Sequence, residues 1–124
     1  MKDKLKLEDC CLTIEQAKEL QELGVDTYGN FEIDTDEYGF RTIEKRGVFE
    51  SDSFGNYKKL TPTLSVAEMI EMLPNHVSYC RDEHGWYNIE YKKICCAPEF
   101  TYIGALLRDS LFEMIKWLKQ NKFI

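Results

Sequence analysis

The sequence predicts an α+β fold, an antiparallel meander of four to five strands packed on one face by two or three helices, the last of them long. Three features predict it: two helix-start patterns, stretches of alternating hydrophobicity, and a long amphipathic segment in the C-terminal part. The 124 residues fall within the usual size of one domain. We therefore assign residues 1–124 to a single domain.

The first helix is predicted from Ile14 to Leu23. Thr13 is a suitable N-cap, and Gln16, three residues later, completes a capping box. Gly24 follows the last turn, where a left-handed residue ends many helices. The inward stripe of this helix comprises Ile14, Ala17, Leu20 and Leu23.

Residues 28–60 show the two-residue alternation that is typical of β-strands. Phe31 and Ile33 alternate with polar neighbours. Residues that favour turns cluster at 34–39 and at 52–56. We expect two or three antiparallel strands here, separated by these turns.

The second helix is predicted from Val66 to Met72 or Leu73. Ser65 is its N-cap, and Glu68 is the matching capping-box partner. Because a proline disfavours helical geometry in the preceding residue, Pro74 limits this helix to about two turns.

A β-hairpin follows, and its register can be derived from the residues alone. A three-residue loop of Glu83, His84 and Gly85 pairs Asp82 with Trp86, with the glycine in the left-handed position that such loops need. The strand residues then divide between two faces, with Val77, Tyr79, Ile89 and Tyr91 on one and His76, Ser78, Cys80, Asn88 and Glu90 on the other.

The last helix is predicted from Tyr102 to Asn121, after an irregular stretch at 94–100. Leu106, Phe112 and Trp117 widen its apolar stripe beyond a single seam, so it needs two neighbours, which leaves room for a homodimer. The apolar face comprises Ile103, Leu107, Leu111, Met114, Ile115 and Leu118.

The charge of the chain is acidic and unevenly distributed. The net charge is −6, and residues 8–52 contain thirteen acidic and four basic side chains. A duplex nucleic acid is therefore not expected as a partner, since such binding needs clustered lysine and arginine. An acidic surface suits a basic protein partner or solvation alone. The candidate interaction residues are Glu32, Asp34, Asp36 and Glu37.

The cellular location is predicted from two features that the sequence lacks, a membrane-spanning segment and an export signal. No run approaches the ~20 apolar residues that span a bilayer, and residues 1–7 do not resemble an export signal. The five cysteines, an odd number with two adjacent pairs, are then expected to be reduced. We expect a cytoplasmic protein with no membrane partner and no cofactor, since the glycines also lack phosphate-loop spacing.

The cysteines and histidines offer two candidate sites, a zinc site and a cysteine nucleophile. A zinc site could use Cys10, Cys80, His84 and Cys95, but no C-x-x-C pair supports it. A cysteine nucleophile could use Cys80 with His76 as base, two residues away on the same strand face. The residues favour a protein that is not an enzyme, with a small zinc-binding or cysteine-dependent enzyme as the alternative.

Three segments carry a resemblance to a known group. In order they are TIEQA leading to ELG at 13–24, PTLSVAEMI at 62–70 and WLKQN at 117–121. Together they resemble small α+β proteins carried by phages and integrated elements of gut Bacteroidales. The resemblance implies an accessory or binding role and supplies no catalytic residues. The leading hypothesis is a small cytoplasmic accessory protein that binds another protein.

Overall fold

A computed structural model describes residues 7–45 and 59–124 and shows an α+β chain, as predicted. A short 3-10 helix at Leu7–Cys10 precedes the first α-helix. The α-helices are α1 (Ile14–Glu22), α2 (Val66–Glu71) and α3 (Leu107–Gln120). The strands are β1 (Phe31–Thr35), β2 (Arg41–Lys45), β3 (Lys59–Thr63), β4 (Val77–Arg81), β5 (Tyr87–Tyr91) and β6 (Phe100–Gly104).

The strands do not form the single meander that we expected. The part of the chain that the structure describes holds two three-stranded antiparallel sheets, with orders β2-β1-β3 and β4-β5-β6. In the first sheet β3 pairs with β1, not with β2, its neighbour in sequence. The turn predicted at 52–56 lies outside the described residues.

Both predicted capping boxes are confirmed. The Thr13 hydroxyl accepts a hydrogen bond from the backbone amide of Gln16 at 3.1 Å. The side-chain oxygen Oε1 of Gln16 accepts one from the backbone amide of Thr13 at 3.0 Å. Ser65 and Glu68 form the same pair at the start of α2. Gly24 has a φ of +91°, the left-handed conformation expected after α1.

The register predicted for the second hairpin is also confirmed. Val77 pairs with Tyr91 and Tyr79 with Ile89, so these four side chains share one face. The Asp82 amide donates to the Trp86 carbonyl at 2.8 Å, which closes the loop as predicted.

The start of the last helix was placed too early. Residues 100–104 pair with β5 as strand β6, and α3 begins at Leu107. Ile103, which we expected on the apolar face of the helix, lies on this strand and is 57% exposed. Gly104 permits the helix to pack back closely, because a Cβ there would lie 2.7 Å from Ser110 Oγ.

Helix α3 packs against β5 and β6 on one side and α2 on another. Its wide apolar stripe is therefore covered within the chain, and the Trp117 ring stacks with the rings of Phe100 and Phe123. We expected α3 to need a second neighbour, which a homodimer could supply. In the structure α2 of the same chain is that neighbour, and the homodimer stays a prediction. The buried core comprises Leu12, Ala17, Leu20, Val25, Leu64, Met69, Ile89, Tyr91, Leu111, Phe112, Met114, Ile115 and Leu118.

Across residues 7–45 and 59–124, no helix has both the length and the apolar character needed to cross a bilayer.

Candidate functional site

The outer face of the second sheet is open, because α3 covers only the opposite face. Cys80 lies on this outer face with an exposed thiol, as the predicted register requires. A depression of about 300 Å³ surrounds it. The depression is lined by Ser78, Tyr79, Cys80, Asn88, Ile89, Glu90 and Thr101.

Neither histidine joins Cys80 in this depression. His76 precedes β4 with a φ of +80°, and its ring lies in an edge-to-face arrangement with the ring of Tyr91, on the covered side of the sheet, at a centroid distance of 6.0 Å. The expectation that His76 shares a strand face with Cys80 is therefore wrong, because the left-handed backbone breaks the alternation. His84 lies at the loop tip, with Nε2 3.4 Å from Glu83 Oε1. The described residues around the Cys80 thiol thus include no imidazole base.

The four candidate zinc ligands lie in different parts of the fold. Cys10 ends the 3-10 helix, Cys80 lies in β4, His84 is in the β4–β5 loop, and Cys95 is in the β5–β6 loop. Among the described residues, no group of three or more His, Cys, Asp or Glu side chains is placed to hold a metal ion. A tetrahedral zinc site needs four such ligands around one point.

The four acidic candidates have different environments. Glu32 is only 6% exposed, pairs across the sheet with Glu44, and has one carboxylate oxygen without a hydrogen-bond partner in the described structure. Asp34 is half-buried, whereas Glu37 is exposed. Asp36 is used locally, because its Oδ1 accepts backbone hydrogen bonds within the β1–β2 loop. Of these four residues, only Glu37 therefore presents an exposed, locally uncommitted carboxylate to solvent.

The β1–β2 loop is ordered by its own hydrogen bonds. Asp36 Oδ1 accepts from the amides of Tyr38 and Phe40 at 2.9 and 2.8 Å. The Asp36 amide in turn donates to the Phe40 carbonyl at 2.9 Å, and Gly39 takes the left-handed conformation with a φ of +87°. This turn presents Tyr38 and Phe40 to solvent, 80% and 73% exposed. We call Glu37, Tyr38 and Phe40 the first tip.

The β4–β5 loop repeats this arrangement. Asp82 Oδ1 accepts from the amides of His84 and Trp86, both at 2.9 Å, and Gly85 has a φ of +84°. Its exposed residues are Glu83, His84 and Trp86, which we call the second tip. The pattern Asp-Glu-x-Gly-aromatic occurs at both loops in the sequence and is the signal by which the first tip could have been found.

A second cavity, of about 250 Å³, lies beside the first sheet. Arg41 at this cavity donates to both carboxylate oxygens of Glu15, at 3.0 and 3.3 Å, and this hydrogen bonding lowers the pKa of Glu15. Arg108 Nε lies 3.1 Å from Asp109 Oδ1. Both guanidinium groups therefore already contact carboxylates of the chain. The cavity is lined by Asp9, Leu12, Thr13, Ile14, Ile33, Arg41, Ile43 and Arg108.

The first tip combines two exposed aromatic rings, an exposed carboxylate and an ordered backbone. Protein-family models, curated proteins and solved structures were all compared with the chain, and none of them matches it.

Proposed function

We propose that this protein is a small accessory protein that binds another protein through the first tip. The observation that carries the proposal is the exposure of Tyr38 and Phe40, 80% and 73%, on one turn. Aromatic residues are enriched in protein interfaces and dominate their binding energy when a partner buries them. Two rings at one loop tip provide such an anchor.

The backbone of the tip supports this role. Binding a mobile loop costs conformational entropy, and a loop that is already ordered avoids much of that cost. Here Asp36 holds the amides of Tyr38 and Phe40, and Gly39 supplies the left-handed residue. The two rings are thus presented on a turn whose shape is set before the partner arrives.

The chemistry of the tip indicates the kind of partner. Glu37 is exposed beside the rings, and the chain as a whole has a net charge of −6. A protein surface with lysine or arginine around a shallow apolar pocket would complement both features. Arginine can also stack on the faces of aromatic rings.

We place this activity in the cytoplasm. All five cysteines are free thiols, a state that suits a reducing compartment. In the phage or prophage setting that the resemblance implies, the partner would be a host or phage protein of basic character.

The double variant Y38A/F40A tests the proposal, with Y28A as the matched control. Tyr28 is also an exposed aromatic residue, 67% exposed, but lies outside both tips. The immobilised proteins are compared for what they retain from a host extract, and each retained protein is then purified and its Kd measured. We expect a basic protein whose Kd rises at least tenfold for Y38A/F40A and less than twofold for Y28A.

Two further measurements sharpen the test. The far-UV circular dichroism of Y38A/F40A should match that of the parent, because both rings are solvent-exposed. The association rate should fall with added salt and with E37Q, since charge complementarity acts mainly on association. If every retained protein binds Y38A/F40A as tightly as the parent, the first tip is not the binding surface.

A further inference from the structure

Cys95 and Cys96 form a second feature that binding through the first tip does not use. They are adjacent in the loop between β5 and β6, and both are exposed. The Cys96 amide donates to the Lys93 carbonyl at 3.1 Å, so residues 93–96 form a tight turn. Cys95 has a φ of +64° at the third position of this turn, where glycine or asparagine is usual.

Two adjacent thiols are poorly suited to bond each other directly. A disulfide between neighbouring residues closes a small ring with strained geometry. A bridging atom between the two sulfurs enlarges that ring and permits a wider separation of the sulfurs. Soft thiophilic centres are the natural bridging atoms, because thiolate sulfur is a soft ligand.

We propose that Cys95 and Cys96 form a chelating dithiol site for trivalent arsenicals. An organic arsenoxide carries one As=O bond. Two As–S bonds form as that bond is lost, and the oxygen leaves as water with the two thiol protons. Arsenic stays trivalent throughout, so the step needs no oxidant or reductant.

The loop can accept this chelate without disturbing the sheet. The Lys92 amide donates to the His76 carbonyl at 3.0 Å, and the Glu99 amide donates to the Tyr91 carbonyl at 2.9 Å. These two bonds hold the ends of the loop on the sheet. Residues 93–98 lie between these two bonds, and we expect the adjustment to occur there when the two sulfurs approach a common atom.

Cys10 and Cys11 are a second adjacent cysteine pair and provide an internal control for Cys95 and Cys96. Cys10 is half-buried and Cys11 is 1% exposed. Burial raises the pKa of the Cys11 thiol to about 11, which disfavours the reactive thiolate. This pair should be shielded in the folded protein and become available only on unfolding.

Phenylarsine oxide tests the site by intact-mass measurement on the reduced full chain. We expect one equivalent bound to the native parent and to C80S, and none bound to C95S or C96S. Excess 2,3-dimercaptopropanol should remove the adduct, whereas a monothiol should not. The unfolded parent should take up a second equivalent at Cys10 and Cys11, which shows that the reagent is competent.

Each other outcome overturns the proposal. Retention of the native adduct by C95S would assign it to other thiols. Loss of the adduct in C80S would show that Cys80, not the adjacent pair alone, holds the arsenic. Binding only after unfolding would show that the native turn keeps the two sulfurs apart. Circular dichroism of C95S and C96S checks that both variants are folded.

Discussion

At the scale of single residues, folding changes the ionisation of Cys11 markedly. Burial, followed by the nearby Cys10 and Glu68, raises the pKa of its thiol from 9.0 to about 11. The folded state therefore binds the thiol proton more tightly than the unfolded state does. Its contribution to stability is full below pH 9 and is lost as the pH rises through about 11.

This shift predicts a pH-dependent difference between the parent and C11A. The free energy of unfolding is measured by urea denaturation at pH 7.5 and pH 10.5. From pH 7.5 to pH 10.5 the stability advantage of the parent over C11A should shrink by about 2 kcal/mol. The reason is that the Cys11 thiol of the parent ionises in the unfolded state and stays mostly protonated in the folded state. The loss of side-chain packing in C11A is the same at both values and cancels. An unchanged difference would contradict the shift.

Glu32 shows where residue-scale reasoning from sequence fails. Alternation with Phe31 and Ile33 places Glu32 on the outer face of β1, which for a charged residue predicts exposure. The carboxyl is nevertheless buried, opposite Glu44. Alternation assigns a residue to a face of a sheet, but it does not show whether that face meets solvent.

At the scale of elements, the capping residues also hold distant parts together. Gln16 Nε2 donates to Asp109 Oδ1 of α3 at 2.8 Å. Glu68 Oε2 accepts from the amide of Asn30, just before β1, at 3.1 Å. The capping boxes were predictable because they depend on residues three apart. These longer links were not, because they join residues 93 and 38 positions apart.

The variant Q16E separates the local role of Gln16 from the distant one. Glutamate also completes a capping box and favours the positive end of the helix dipole, so the local rules predict no loss. It cannot donate to Asp109 and places a second carboxylate beside it. We expect Q16E to lower the free energy of unfolding by about 1–2 kcal/mol, measured by urea denaturation.

The double variant Q16E/D109N provides the control for this prediction. It restores an amide donor and a carboxylate acceptor in reversed order, and should be more stable than Q16E. If Q16E is as stable as the parent, the bond between α1 and α3 contributes nothing to stability.

The pairing of β4 with β5 was predicted correctly, apart from the face of His76 just before β4, whereas β6 was missed. In the hairpin, loop length, Gly85 and the alternation of both strands all indicate one register. Residues 100–104 instead fit both a strand and the first turn of a helix. They form a strand because the open edge of β5 pairs with them, and only the tertiary structure shows that edge.

Strand β3 contains Pro62, which argues against a strand except at a sheet edge, where β3 lies.

At the scale of the whole molecule, the candidate site was harder to predict than the fold. Hydrophobicity alone predicts burial for Tyr38 and Phe40, whereas the structure exposes both. The acidic stretch was identified, but Asp36 proves to order the loop that carries these rings. Burial in a fold depends on what packs above a residue, which a local pattern does not contain.

One core joins the N-terminal and C-terminal parts of the chain. Leu20 of α1, Met69 of α2 and Leu118 of α3 belong to the same buried cluster. The Leu12 amide also donates to the Leu64 carbonyl at 3.0 Å, just before α1 and α2 begin. Because the parts share these contacts, we expect them to unfold together, as one domain.

Trp117 fluorescence in a W86F background tests this cooperativity, since W86F leaves Trp117 of α3 as the only tryptophan. Adding L20A removes a buried leucine from α1 and should cost about 2–5 kcal/mol. In urea, the midpoint from Trp117 fluorescence and the midpoint from far-UV circular dichroism should fall by the same amount. An unchanged Trp117 midpoint with a biphasic dichroism curve would instead show that α1 and α3 belong to two separately unfolding units. The stability lost in α1 would then not reach the unit that contains α3.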